Sequence, residues 1–163
     1  MEEIKEYADE ITTDNMGNLI ARKKGNGKKI LLAAHMDEVG LMIRNIKPNG
    51  GIEVLPIGGL AGEVFISQIV YVYTKDGKKI PGIIGSIPPH LKTNNNTSID
   101  ALIVDVGASS KEEVLSYGIS VGDMVLYDTP YLETHNGKRF IAKAIDNRYG
   151  CGLALEALEY FHD

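Results

Sequence analysis

The stretch Lys29-Ile30-Leu31-Leu32-Ala33-Ala34-His35-Met36-Asp37-Glu38 decides how the rest of the chain is read. Its first half is apolar without alternation, as in a strand covered on both faces of an α/β sheet. Its second half turns abruptly polar. Open α/β sheets bind ligands beyond the carboxyl ends of their strands, so the His-x-Asp cluster falls where such a sheet does its chemistry. His35 and Asp37 are two apart and point to the same side of an extended segment. That spacing suits a metal-ligating imidazole whose other ring N–H is accepted by a carboxylate. A surface turn after a core strand fits the same residues, and the spacing alone does not separate the two.

Upstream, residues 2–10 are polar and support at most a short helix. Strand-forming residues then flank Asn15-Met16-Gly17, the pattern of a hairpin. Gly25-Asn26-Gly27 is a turn and not a phosphate loop, because no further glycine follows at the required spacing. Downstream, from about 41 to 138, short alternating runs are separated by Pro48-Asn49-Gly50-Gly51, Asp76-Gly77 and Asn136-Gly137. This is the pattern of a small antiparallel barrel or sandwich. One helix near 110–117 interrupts it. Ser109 and Ser110 are each followed three residues later by a glutamate, Glu112 or Glu113, and Gly118 stands where a C-cap belongs.

A second run, Phe140–Ile145, apolar except for Lys143, leads into Asp146-Asn147 and then a helix with Leu153, Ala154, Ala157, Leu158 and Phe161 on one face. Helix capping accounts for one of Asp146 and Asn147 whatever the other does. The expectation is therefore β-rich material, 41–139, inserted between two pieces of an α/β layer, 1–40 and 140–163. Residues 29–36 and 140–145 should lie side by side in one sheet, which would bring His35 close to Asp146.

Composition narrows the function. The chain has 163 residues, room for one domain of roughly 100–200 residues or two small ones. With 17 Lys and Arg against 22 Asp and Glu, and no basic block, a nucleic-acid partner is disfavoured. No window approaches the ~20 apolar residues of a membrane span, and the acidic N-terminus lacks the apolar core of a secretory signal. Cys151 has no second cysteine to pair with, which fits a reducing, cytoplasmic setting. Eighteen glycines, about 11% against a usual ~7%, read as turn punctuation in a β-rich fold.

Taken together, AAHMDEVG at 33–40 and AKAIDNRYGCG at 142–152 resemble the M42 family of metallo-aminopeptidases. That family includes glutamyl and tetrahedral aminopeptidases and proteins once labelled endoglucanases. DNMGNLIARKKG (14–25) is similar to its entry hairpin. PIGG (56–59), GSIPPH (85–90), DVGASSKEEV (105–114) and GISVGD (118–123) are similar to its inserted domain.

The resemblance implies a portion of an α/β catalytic domain of the phosphorylase/hydrolase-like type. It also implies an inserted all-β, PDZ-like barrel used in dimerisation and homo-oligomer assembly, a peptide substrate, and two divalent metal ions, zinc or cobalt. By position, His35 matches a terminal metal ligand, Asp37 the catalytic carboxylate that orients it, and Asp146 the carboxylate bridging the metals. It further implies a cis Asp146–Asn147 peptide bond. The family carries a Glu-Glu pair, another Asp and a final His further on, and opening helices before the first hairpin. These 163 residues hold none of them. The expectation is thus a fragment with part of a metal site, little activity of its own, and exposed apolar faces.

Other candidates carry less. His90 resembles a position in the inserted domain, although a loop histidine beside prolines is commonly structural. His135 sits at a hairpin turn and His162 near the end of the sequence, both solvated. Glu38 points away from Asp37 and reads as a local hydrogen-bonding residue. Cys151 lies where a helix start can acidify a thiol, and equally where a small apolar side chain packs. Two other classes stand beside the peptidase: a non-catalytic oligomerisation or binding module, and a glycoside hydrolase. The latter needs two carboxylates across a sugar cleft, and with no Trp and three Phe the chain has little to stack a sugar on.

Overall fold

A computed structural model describes residues 3–85 and 98–161, so His90 and His162 lie outside the described residues. The chain divides into two compact units, one formed by Val39–Lys143 and the other by Met1–Glu38 with Ala144–Asp163. Residues 39–40 and 140–143 thus group with the β-rich material.

The Val39–Lys143 unit is built on a closed six-stranded antiparallel barrel. Its strands are β3 (Gly40–Ile46), β4 (Ile52–Ile57), β5 (Ile69–Tyr73), β6 (Lys79–Ile84), β7 (Ile103–Asp105) and β8 (Met124–Tyr127), ordered β3-β4-β7-β6-β5-β8 around the wall. Closure leaves no open sheet edge. The alternation read in the sequence becomes an inside and an outside. Leu41, Ile43, Ile52, Val54, Val70, Val72, Ile84, Val104 and Val125 are all buried, whereas Ile69 and its cross-strand partner Ile83 face outward. In β3 the inward positions change parity after Ile43, so that Ile46 is also buried. A register shift between Ile43 and Asn45 supplies the extra residue that turns the strand. Phe65, on a 3-10 turn (Gly62–Phe65), plugs the core and meets Tyr127 edge-on at 5.8 Å between ring centres.

The turn between β3 and β4 needs Gly50. Its φ is +84°, and a Cβ there would run into the backbone carbonyl of Ala108. After β7 comes α1 (Lys111–Ser116). Ser110 is its N-cap, the hydroxyl accepting from the Glu113 amide at 3.2 Å. The Glu113 carboxylate accepts from the Ser109 amide at 2.8 Å and from the Tyr117 hydroxyl at 2.9 Å, so both serines take part in the cap. A last hairpin pairs β9 (Leu132–Glu133) with β10 (Phe140–Ile141) through the Asn136-Gly137 turn.

The other unit contains the expected N-terminal hairpin, β1 (Glu10–Thr13) paired with β2 (Leu19–Arg22). Asp14 organises the turn by accepting from the Met16 and Asn18 amides, both at 2.9 Å. It also contains α2 (Ile145–Tyr160). The expected α/β sheet does not form among the described residues. Residues 29–34 adopt no strand, and Ile30 and Leu31 are 85% and 86% exposed. Phe140–Ile141 pairs with Leu132–Glu133 instead. The physical reason is coverage: a doubly apolar strand needs strands beside it and layers on both faces, and this unit offers one hairpin and one helix. Its only buried hydrophobic among the described residues is Ile4; α2 buries no residue fully, Leu153 included, and Phe161 just beyond it is exposed. No helix among the described residues is long and apolar enough to cross a membrane.

Candidate functional site

The polar cluster after residue 34 and the start of α2 meet within one unit. His35 lies between two carboxylates: Nδ1 is 3.1 Å from Asp37 Oδ1, and Nε2 is 3.3 Å from Asp146 Oδ1. The three residues singled out by spacing and resemblance are thus brought together, even though 29–34 forms no strand.

At the helix entry Ala144 has φ +57°, Asp146 and Asn147 lie outside helical φ/ψ, and the Asp146–Asn147 bond is cis. Asn147 takes the capping duty, its Oδ1 accepting from the Gly150 amide at 3.1 Å. Capping therefore belongs to Asn147, and the Asp146 carboxylate is left for His35.

Two side chains of α2 also reach back to the 35–38 segment. Arg148 Nε donates to the Met36 carbonyl at 2.9 Å, and its Nη2 lies 3.9 Å from Glu38 Oε1. Cys151 Sγ lies 3.4 Å from the His35 carbonyl oxygen. Glu38 meets Arg148, a contact that the sequence does not reveal. No spacing rule links residues so far apart, and an arginine in a helix's first turn looks like any solvated cation. His135 sits on the turn of the β9–β10 hairpin and joins no site.

The chemistry of the three groups points to a cation. If the imidazole donates its Nδ1–H to Asp37, the Nε2 lone pair faces a carboxylate oxygen, and two acceptors oppose each other at 3.3 Å. A proton or a metal ion on Nε2 relieves this. Imidazole nitrogen and carboxylate oxygen are suitable zinc donors. Their number is short: no group of three or more His, Cys, Asp or Glu that could hold a metal ion occurs among the described residues. The residues fit part of a metal centre.

Comparison with known proteins identifies the family. The sequence pattern of the M42 glutamyl aminopeptidase family matches residues 17–163. A glutamyl aminopeptidase of Lactococcus lactis is 39% identical over 158 residues, covering 92% of this chain and 44% of that protein. An aminopeptidase structure from the archaeon Desulfurococcus kamchatkensis superposes with a TM-score of 0.87 at 42% identity, over 98% of this chain and 44% of the other. The TET1 peptidase of Pyrococcus horikoshii, described as assembling into a tetrahedron or a large octahedral shell, superposes at 0.81 with 33% identity, over 99% of this chain and 49% of its own. The chain thus spans less than half the length of these relatives. With the family pattern running over nearly its whole length, the chain belongs to the M42 glutamyl aminopeptidase family.

Proposed function

We propose that these residues are part of an aminopeptidase that removes N-terminal residues from peptides, with His35 and Asp146 contributing to a centre of two divalent ions, zinc or cobalt. The observation that carries this reading is the imidazole of His35 held between Asp37 and Asp146, in a chain of the M42 family. Such ions, when bound, supply a water that is nucleophilic at neutral pH and a Lewis acid for the scissile carbonyl.

The work of the chain's own residues follows from their positions. Asp37, whose carboxylate lies 3.1 Å from Nδ1, would favour the tautomer that leaves Nε2 to ligate. Asp146 would supply a carboxylate ligand and the negative charge that such ions need, and Asn147 spares it from capping the helix. None of these three is assigned the proton transfer from the attacking water. We therefore read Asp37 as a positioning carboxylate and the 163 residues as a partial centre with little turnover of their own. The Val39–Lys143 unit, which holds the buried apolar cluster among the described residues, is proposed as the PDZ-like assembly module through which copies associate. A reducing, cytoplasmic setting is consistent with the single cysteine.

Metal content after dialysis, with turnover of aminoacyl anilides in added zinc or cobalt, tests this. The 163-residue chain should hold less than one ion, lose it in His35→Ala, and turn over at background. Two tightly held ions with turnover abolished by Asp146→Ala would overturn the partial centre. Metal uptake indifferent to both substitutions would overturn the metal reading and leave a non-catalytic module.

A further inference from the structure

His35 and Asp37 sit on a segment, 29–39, that belongs to no strand or helix. No ladder of backbone hydrogen bonds therefore sets the direction of their side chains. Arg148 touches this segment at two points that flank Asp37: the Met36 carbonyl, at 2.9 Å from Nε, and the Glu38 carboxylate, at 3.9 Å from Nη2. We infer that Arg148 is a positioning residue, which grips the chain on either side of Asp37 and so keeps the His35 ring between Asp37 and Asp146.

Fixing the backbone carbonyl just before Asp37 and the side chain just after it restricts the rotation of the peptide units on both sides of Asp37, and with it the direction in which Asp37 meets His35. The charged N–H to the Met36 carbonyl is the stronger tie. The Glu38 contact is longer but shielded, with that side chain only 14% exposed. Cys151, in the same helix, adds a contact to the His35 carbonyl. A lysine does not replace this grip, because one ammonium lacks the planar fork that serves two acceptors at once. The inference rests on the proposed metal reading only for its effect on metal affinity; the grip itself does not.

Arg148→Ala and Arg148→Lys in the 163-residue chain test it with two readouts. Without metal, ¹H–¹⁵N spectra report the amides of residues 36–38 and the ring nitrogens of His35. In the alanine variant these amides should shift and the ring signals average, while the hairpin amides of 10–13 and 19–22 stay in place. Cobalt(II), titrated by visible absorption, should bind about 10–100-fold more weakly, and lysine should restore neither readout. Wild-type ring signals in either variant would overturn the inference. So would loss of the hairpin signals as well, which would reduce Arg148 to a folding role. If cobalt does not bind the wild-type chain, the donor reading of His35 and Asp146 fails, and the ring signals decide the role of Arg148 on their own.

Discussion

His35 Nε2 lies 3.3 Å from Asp146 Oδ1, and neither residue is carried there by a sheet. Around the pair are side-chain to backbone contacts that look minor one at a time: Asn147 capping the helix, and the 35–38 segment tied to Arg148 and Cys151 of α2. Changes to residues that bear no metal-binding chemistry should therefore disturb the site.

Gly150 is the sharpest example. A Cβ at this position would collide with the Asn147 side-chain oxygen, which at present caps the helix through the Gly150 amide. Gly150→Ala should expel that oxygen and cost about 1 kcal/mol in the lost hydrogen bond. Asn147 side-chain amide shifts that match wild type would show that the cap survives and refute this.

In the barrel, burial predicts a contrast between two neighbouring positions. Phe65→Ala should destabilise by about 3–5 kcal/mol, since the ring is fully buried against Tyr127. Ile69→Ala, on the outer face at 62% exposure, should stay within about 0.5 kcal/mol. Urea denaturation followed by tyrosine fluorescence measures both; equal losses would mean that Phe65 is not a core residue or that Ile69 does not face outward.

The turn between β5 and β6 predicts a pH effect. The Lys78 ammonium, 2.8 Å away, and then the Thr74 hydroxyl hold the Asp76 carboxyl below its ordinary range. A carboxyl depressed in the folded state adds stability above its unfolded pKa, and that contribution is lost as pH falls through the folded value. Carboxyl ¹³C titration should find Asp76 below an ordinary aspartate, and Lys78→Met should move it upward. An unchanged midpoint in that variant counts against the assignment.

Ile30, Leu31 and Leu32 are exposed in sequence, at 85%, 86% and 60%. Three successive large apolar side chains left in water gain by burial against another copy, so the 163-residue chain should self-associate in the micromolar range. Light scattering should show mass rising with concentration, and Leu31→Glu should reduce the rise. A concentration-independent monomer would contradict it.

What the sequence determined by itself is local, because it depends on residues a few positions apart. The N-terminal hairpin follows from the turn around Gly17, the β5–β6 and β9–β10 turns from Asp76-Gly77 and Asn136-Gly137, and α1 from Ser110 and Glu113, whose capping bonds close within four residues. Alternation likewise separated the inner from the outer face of the barrel strands. The identity of His35, Asp37 and Asp146 as a group was also legible, though from resemblance and not from periodicity. Tertiary structure decided whatever needs a partner far along the chain. It closed β3 onto β8 to complete the barrel, and it left 29–34 unpaired although its composition reads as a core strand. It also brought Arg148 to Met36, a contact across 112 positions. An apolar run states that it would gain by burial, but burial needs covering layers, and composition does not say whether they are there.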